Sequence, residues 1–338
     1  MHPYNEYIVS EGLHLSREKV PVADVPIPVA TGRSTRPRMA IRKVVAQRYL
    51  LAMALAGVAW MFIFNYLPMY GLLIAFRNYS ITRPFSEAPY VGLLHFRAFF
   101  ADPNFPLVMR NTFGISSLKL LVGFPIPIVF AVLLSEIRHS GFKRVVQTIT
   151  YLPHFLSWVI LGGIMMHWLS DIGLINRLLL EFGLLDEPVF FLAEPRMFWA
   201  IAVASEVWKE TGFNAIIYLA AIAGIDPQLY EAADLDGASR YQKIRHVTLP
   251  GITGTIVILL VLNVGYLLNT NFDQILVLTN QLNIDTSNVL DLYVYRVGIQ
   301  SARYSFSTAI GFFRSIIALI LLISASVTTR RLTGHSMF

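Results

Sequence analysis

Six long apolar stretches, 49–76, 111–135, 144–169, 196–224, 249–272 and 305–328, constrain this chain more than any other feature. Lipid offers no hydrogen bonds, so a segment crossing it must satisfy every backbone N–H and C=O internally, which a helix does. About 20 apolar residues at 1.5 Å each cover the hydrocarbon core. The expected architecture is therefore an all-α polytopic membrane protein of about six transmembrane helices. Composition agrees: 55% of the 338 residues are hydrophobic, 14% are charged, and mean hydropathy is +0.57. Prolines 68, 125, 127 and 153 lie in or near these stretches, where neighbouring helices can satisfy the carbonyls that proline releases.

Six crossings put both termini on one side, and the basic residues say which. Sixteen Lys and Arg flank the spans on the side of the N-terminus, and eight flank them on the other. The positive-inside rule makes the first side cytoplasmic. Trp168 and Trp199 then fall at the outer boundary, where indole favours the headgroup region. Residues 1–45 hold five prolines and a basic cluster and read as a flexible cytoplasmic tail. The first apolar run starts too late and is too long for a cleavable signal, so it is expected to stay in the mature protein. Residues 46–330 form the transmembrane domain and 331–338 a cytoplasmic C-terminal tail. The net charge of +6 is explained by this topology, and no nucleic-acid partner is expected. With no cysteine, disulfides and thiolate metal sites are excluded.

Between the fourth and fifth spans lies a polar stretch, DPQLYEAADLDGASRYQKIRHVTLP at 226–250. Asp226 is placed to cap a helix with Pro227 at its first position, and Gly237 to end that helix in a left-handed conformation. Ser239 and Gln242 have the spacing of a capping box for a second short helix, and Pro250 limits how far that helix runs unbroken. This is a helix-turn-helix on the cytoplasmic side. Its Glu231-Ala232-Ala233, Asp236-Gly237-Ala238 and Leu249-Pro250, in register, resemble the EAA loop of ABC-importer permeases. Ile244 and Val247 depart mildly from that pattern while keeping its apolar character. YLPMYGLLIAFRNY at 66–79, VGL at 91–93, NFDQIL at 271–276 and YVYRVG at 293–298 extend the resemblance over roughly residues 50–330, to the lipoprotein/polysaccharide-transport branch of carbohydrate importers.

The resemblance implies a type I ABC-importer permease fold in a bacterial cytoplasmic (inner) membrane. It implies a second homologous permease subunit, forming a heterodimer, two ATP-binding cassette subunits, an extracytoplasmic solute-binding protein and an oligosaccharide substrate. Acidic oligosaccharides such as alginate fragments are among the substrates of that branch. The chain contains no P-loop, not even a Gly-Lys dipeptide, so it binds no cofactor of its own, and ATP and Mg belong to the partner ATPases. No catalytic or metal-binding spacing is present either. On this reading Tyr230, Ala232, Ala233 and Leu235 contact the ATPase, Glu231, Asp234 and Asp236 pair with its basic rim, and Gly237 permits close approach. Arg240, Lys243 and Arg245 suit either that rim or lipid phosphates.

Ionisable groups inside spans are costly, at least ~2.5 kcal/mol for a charge at the bilayer centre. Lys119, Glu206, Lys209, Glu210 and Arg314 are such groups. Lys119 and Arg314 lie on the order of 12–14 Å deep and suit a translocation cavity. Lys209 has Glu206 at i−3 to neutralise it. Trp208, Asn214, Asn263, Asn269, Asn271 and Asp273 are of the types that stack on and hydrogen-bond sugars, although asparagines in membrane helices also bond one another. An ion-gradient-driven secondary transporter shares the helix count. However, no internal repeat with paired broken helices is visible, and that reading gives the polar helix-turn-helix no task.

Overall fold

The computed structural model describes residues 47–333, so the expectations for the N-terminal tail, and for all but the first residues of the C-terminal tail, lie outside the described residues. The chain divides into two units between Asn65 and Tyr66. The first holds α1 (Arg48–Met61), and the π-helical turn Phe62–Tyr66 that follows it ends on the first residue of the second. None of the α1 side chains is buried, as suits a helix that meets lipid.

The second unit opens with a 3-10 stretch, Leu67–Phe76, followed by α2 (Leu94–Phe100). Then come α3 (Phe105–Gly123), α4 (Pro125–Ser135), α5 (Ser140–Tyr151), α6 (Trp158–Trp168) and α7 (Leu174–Glu181). The central helix α8 (Phe198–Ala223) leads to α9 (Pro227–Leu235), α10 (Arg240–Lys243) and α11 (Leu249–Gly265). Short helices α12 (Phe272–Leu278), α13 (Ile284–Ser287) and α14 (Leu290–Tyr295) precede the long α15 (Tyr304–Thr333). Among the described residues there is no β-sheet, only an isolated bridge between Arg77 and Tyr90.

Among the described residues, four helical runs are long and apolar enough to cross a membrane: Arg48–Phe76, Phe105–Ser135, Arg240–Gly265 and Tyr304–Arg331. A fifth is counted if the bent pair Ser140–Phe155 and Trp158–Trp168 is one span. The sixth expected span corresponds to α8. Its 26 residues reach about 39 Å, but Glu206, Lys209 and Glu210 lower its apolarity.

Three expectations change in detail. The stretch 144–169 is not one straight helix but turns through 100° after Phe155. Pro153 sits in a 3-10 turn there, Leu156 is extended, and Ser157 caps a new helix by accepting from the Ile160 N–H. Pro250, by contrast, breaks nothing. A π-helical turn, Ile244–Thr248, widens the helix just ahead of it, so α10 runs into α11 without interruption. The expected span 249–272 also stops short, at Gly265, and the chain is irregular until Asn271, which takes a positive φ of 63°. Prolines 125 and 127 open α4, where their missing N–H groups matter least.

Burial is concentrated around α8. One cluster joins Ile115 of α3, Phe198 and Ala202 of α8, Ile275 of α12 and Leu292 of α14. A second joins Phe99, Val108, Tyr293, Phe306 and Ile310. A third seats Ala131 of α4 against Ala215 and Tyr218 of α8. Small residues let backbones approach: a Cβ on Gly212 would collide with the Thr150 carbonyl, and one on Gly162 with Val277. Thus α8 packs against α4, α5 and α12 together.

Candidate translocation cavity and coupling surface

A cavity of about 490 Å³ lies against α8. Glu206, Glu210 and Asn214 share one stripe of that helix at four-residue spacing, and Ser116, Lys119 and Gly123 of α3 face them. Asn263 and Tyr266 at the end of α11, then Asn269, Asn271 and Asp273 around the irregular turn, complete the wall. Six of the nine residues proposed from sequence for the substrate pathway are thereby brought together: Lys119, Asn214, Asn263, Asn269, Asn271 and Asp273. Trp208, Lys209 and Arg314 are not among them. Trp208 is half-exposed and faces an apolar depression with Leu118, Val122 and Trp199. Glu206, Glu210, Thr211 and Tyr266 are wall residues that the sequence reading did not propose as substrate contacts. The four-residue spacing of Glu206, Glu210 and Asn214 was the available signal.

Lys119 is committed to the protein. Its ammonium donates to a carboxylate oxygen of Glu206, to the Thr270 carbonyl at 2.9 Å and to Gln274 Oε1 at 2.6 Å. Gln274 in turn donates to the Ala202 carbonyl at 2.6 Å and to Ser205 Oγ at 2.8 Å, which anchors α12 on α8. The Thr270 N–H and hydroxyl approach Asp291 Oδ2 at 3.4 and 3.3 Å, and Asp291 forms an ion pair with Arg314. Arg314 is therefore paired with Asp291 on α14 and is not part of the cavity lining. The expected pairing of Lys209 with Glu206 is also replaced. Glu206 serves Lys119, and Lys209 bonds Glu210 Oε1 at 3.0 Å. Of the cavity's ionisable groups, Lys119, Glu206 and Glu210 are thus matched, and Asp273 stands exposed on the wall. What the cavity offers a cargo is a set of amides, hydroxyls and carboxylate oxygens, the partners that a polyol requires.

Beyond Gly224, Ile225 and Asp226, α8 gives way to the polar helix-turn-helix, which forms as its letters predict. Asp226 accepts from the Gln228 N–H at 3.0 Å. Gly237 has φ of 72°, and its N–H and that of Ala238 close on the carbonyls of Asp234 and Ala233 at 3.1 and 2.9 Å, a Schellman ending. The Ser239 hydroxyl and the Gln242 side chain each accept from the other residue's N–H, making the capping box. Lys243 bonds Asp234 at 2.7 Å and ties the second helix to the first, while Tyr230 turns inward to the Thr248 hydroxyl at 3.0 Å. The root is fixed where Ile225 packs on Gly251.

What remains outward is an apolar prow. Leu235 is 90% exposed and Ala232 is exposed, as are Leu229 and Tyr241, which sequence reasoning did not single out. Glu231 and Asp236 are exposed beside them, and Ala233 is half-buried. An exposed apolar surface with a charged rim is of the kind that marks protein–protein contacts.

Residues 123–334 match the family of binding-protein-dependent transport system inner membrane components. Protein LplB of Bacillus subtilis (strain 168) is 40% identical over 86% of this chain and 91% of its own length. The polygalacturonan/rhamnogalacturonan transport system permease protein YteP of the same organism is 41% identical over 90% and 95%. A chain from the crystal structure of a bacterial ABC transporter that imports the acidic polysaccharide alginate superposes with a TM-score of 0.81 at 40% identity, covering 87% of this chain and 99% of that one. A chain from the crystal structure of a bacterial alginate ABC transporter in complex with an alginate pentasaccharide-bound periplasmic protein superposes equally well, with a TM-score of 0.81 at 40% identity, covering 88% of this chain and 99% of that one. Identity at this level over nearly the whole of each chain extends to the fold, that of a type I ABC-importer permease. The chain belongs to the family of inner-membrane components of binding-protein-dependent transport systems.

Proposed function

We propose that this chain is a permease subunit of an ATP-driven importer of oligosaccharides, with acidic, uronate-containing fragments such as those of alginate as its cargo. The observation that carries the proposal is the continuity of one helix. On α8, Glu206, Glu210 and Asn214 face a cavity rich in amides and hydroxyls, and three residues past its end begins a capped, outward-facing coupling element. The acidic subclass is supported by the relatives, since polygalacturonan and alginate are both polymers of uronic acids. Because Lys119 is already neutralised by Glu206, the positive charge that selects such a cargo is assigned to a second, different permease subunit and to the solute-binding protein.

In this reading the chain catalyses nothing and binds no cofactor. ATP and Mg sit on two cytoplasmic ATPase subunits, which grip the prow of Ala232 and Leu235. Both termini and the coupling element are cytoplasmic, and the solute-binding protein docks on the opposite side. Closure of the ATPases pulls α9 and therefore α8, opening the cavity outward, and hydrolysis returns it. The test is reconstitution with the partner permease, ATPases and binding protein in vesicles, with uptake of labelled uronate and neutral oligosaccharides of equal length. ATP-dependent and binding-protein-dependent uptake favouring the uronate supports the proposal. Uptake driven by a proton or sodium gradient without ATP overturns it, and preference for the neutral sugar overturns the acidic assignment.

A further inference from the structure

The 100° break between α5 and α6 lies inside an apolar region, where a helix end is expensive. The last carbonyls of a helix have no partner within it, and lipid supplies none. Here the missing donor comes from α8: the Lys209 ammonium donates to the carbonyl of His154, in the last turn before the break, at 2.7 Å. The same ammonium lies 5.6 Å from the ring centroid of Trp158, the first residue after the break. One buried cation therefore touches both limbs of the bend.

The surroundings are built to hold it there. Lys209 is 5% exposed, and its charge is matched by Glu210, whose other oxygen bonds His154 Nδ1 at 2.7 Å. Adjacent helix positions do not normally face each other, so residues 209 and 210 meet only because both reach toward the same third element. The His154 ring lies flat on Phe213, centroids 3.7 Å apart and 2° from parallel, and Gly212 lets the last turn of α5 rest directly on the α8 backbone. The second limb leads onward, since Gly162 of α6 packs on Val277 of α12, whose N-terminal residues form part of the cavity wall.

We propose that Lys209 is the hinge pin of this broken span, a positioning residue that fixes the bend between α5 and α6 so that displacement of α8 is passed through α6 to the α12 wall of the cavity. A loose bend would absorb that displacement. Because Trp158 and the His154 carbonyl lie on opposite sides of the break, a cation bonded to both sets the angle as well as the stability.

The inference rests on the importer reading for its transport arm alone, and the distance arm below needs no cargo. The chain has no cysteine, so spin labels can be placed at Ile149→Cys and Val159→Cys, both on exposed side chains, one on each limb. Inter-label distances are measured by electron paramagnetic resonance in the whole transporter, without nucleotide and with trapped ATP. With Lys209 present a narrow distribution is expected in each state. Lys209→Met broadens it and lowers the sugar moved per ATP by roughly tenfold, the scale of one lost charge-assisted hydrogen bond. Lys209→Arg restores both. Trp158→Leu, which keeps the Glu210 pair, broadens the distribution as well and serves as the reporter if Lys209→Met fails to assemble. Native widths with an unchanged sugar-to-ATP ratio in either variant overturn the proposal, including where Lys209→Met lowers thermal stability. A wild-type complex showing no ATP-coupled uptake would refute the importer reading and leave the distances to decide the hinge.

Discussion

Replacing Glu206 by Met should damage this protein more than replacing Lys119, although the two form one ion pair. The Lys119 side chain is 11% exposed and is surrounded by Glu206, the Thr270 carbonyl and Gln274. Glu206→Met leaves a buried ammonium with two neutral acceptors. Breaking a buried pair from one side costs about 3–5 kcal/mol, and the two remaining hydrogen bonds place this case near the lower end, about 3 kcal/mol. Lys119→Met leaves a carboxylate that is 26% exposed on the cavity wall, with Asn271 Nδ2 at 3.5 Å, where water reaches it, so its cost is smaller. The double variant removes both charges and loses only the hydrogen bonds to Thr270 and Gln274, at about 1 kcal/mol each. It should therefore be more stable than Glu206→Met alone, and because Lys119→Met by itself loses the same two bonds, at about 2 kcal/mol in all, the coupling energy is about 3 kcal/mol. The assay is the loss of intact, monodisperse transporter on heating and in denaturant for all four proteins. Additive losses would refute the claim that Lys119 is spent on Glu206. A matching transport result is expected: Lys119→Met reduces uptake of uronate and neutral oligosaccharides alike, and a loss confined to the acidic cargo contradicts the same claim.

Two further outcomes follow from local geometry. Gly237 has φ of 72° with nothing near the position of a Cβ, so Gly237→Ala pays only for backbone conformation, about 1–2 kcal/mol, and hydrogen exchange at the Ala238 N–H should quicken roughly tenfold; unchanged exchange would show that the Schellman ending does not hold the turn. Outside the membrane spans, partial burial pushes the Asp102 carboxyl up, but hydrogen bonds from Tyr293 at 2.6 Å and from Asn104 outweigh it and hold the group below its ordinary 3.8. Its contribution is accordingly present above that value and is lost as pH falls through the lowered pKa. Burial and the Asp102 bond push Tyr293 well above 10, so its contribution is present below pH 10 and is lost only as pH rises through the raised pKa. In Tyr293→Phe the Asp102 titration, followed by carboxyl-resolved NMR, should move upward toward 3.8; a stationary titration refutes the pairing.

The coupling element was legible because its determinants are local. Asp226, Gly237, Ser239 and Gln242 act on partners within five residues, and each does what its position predicts. The spans 49–76, 111–135 and 305–328 were legible for the same reason, since they require only apolar runs. What the letters could not supply is pairing across the fold. Lys119 meets Glu206, Thr270 and Gln274 across 87, 151 and 155 residues, and no helical periodicity encodes that. The choice of Glu206 for Lys209 followed helix spacing, but both were drawn to partners on other helices, Lys119 and His154. Arg314 looked like a cavity cation because its depth was visible and Asp291 was not. Pro153 announced an irregularity without its angle. Pro250 announced one that did not occur, because a widened turn before it gave the ring room.

The central claim is that work enters this chain at the prow of its coupling element. Leu235 is 90% exposed and carries no internal role, so Leu235→Asp should leave the permease folded while placing a charge in the apolar contact. Uptake and substrate-stimulated ATP hydrolysis would be measured together in vesicles holding the complete transporter. Both are expected to fall at least roughly tenfold, as for a charge placed in a desolvated interface core. Wild-type uptake with wild-type stimulation in the Leu235→Asp transporter would contradict the claim.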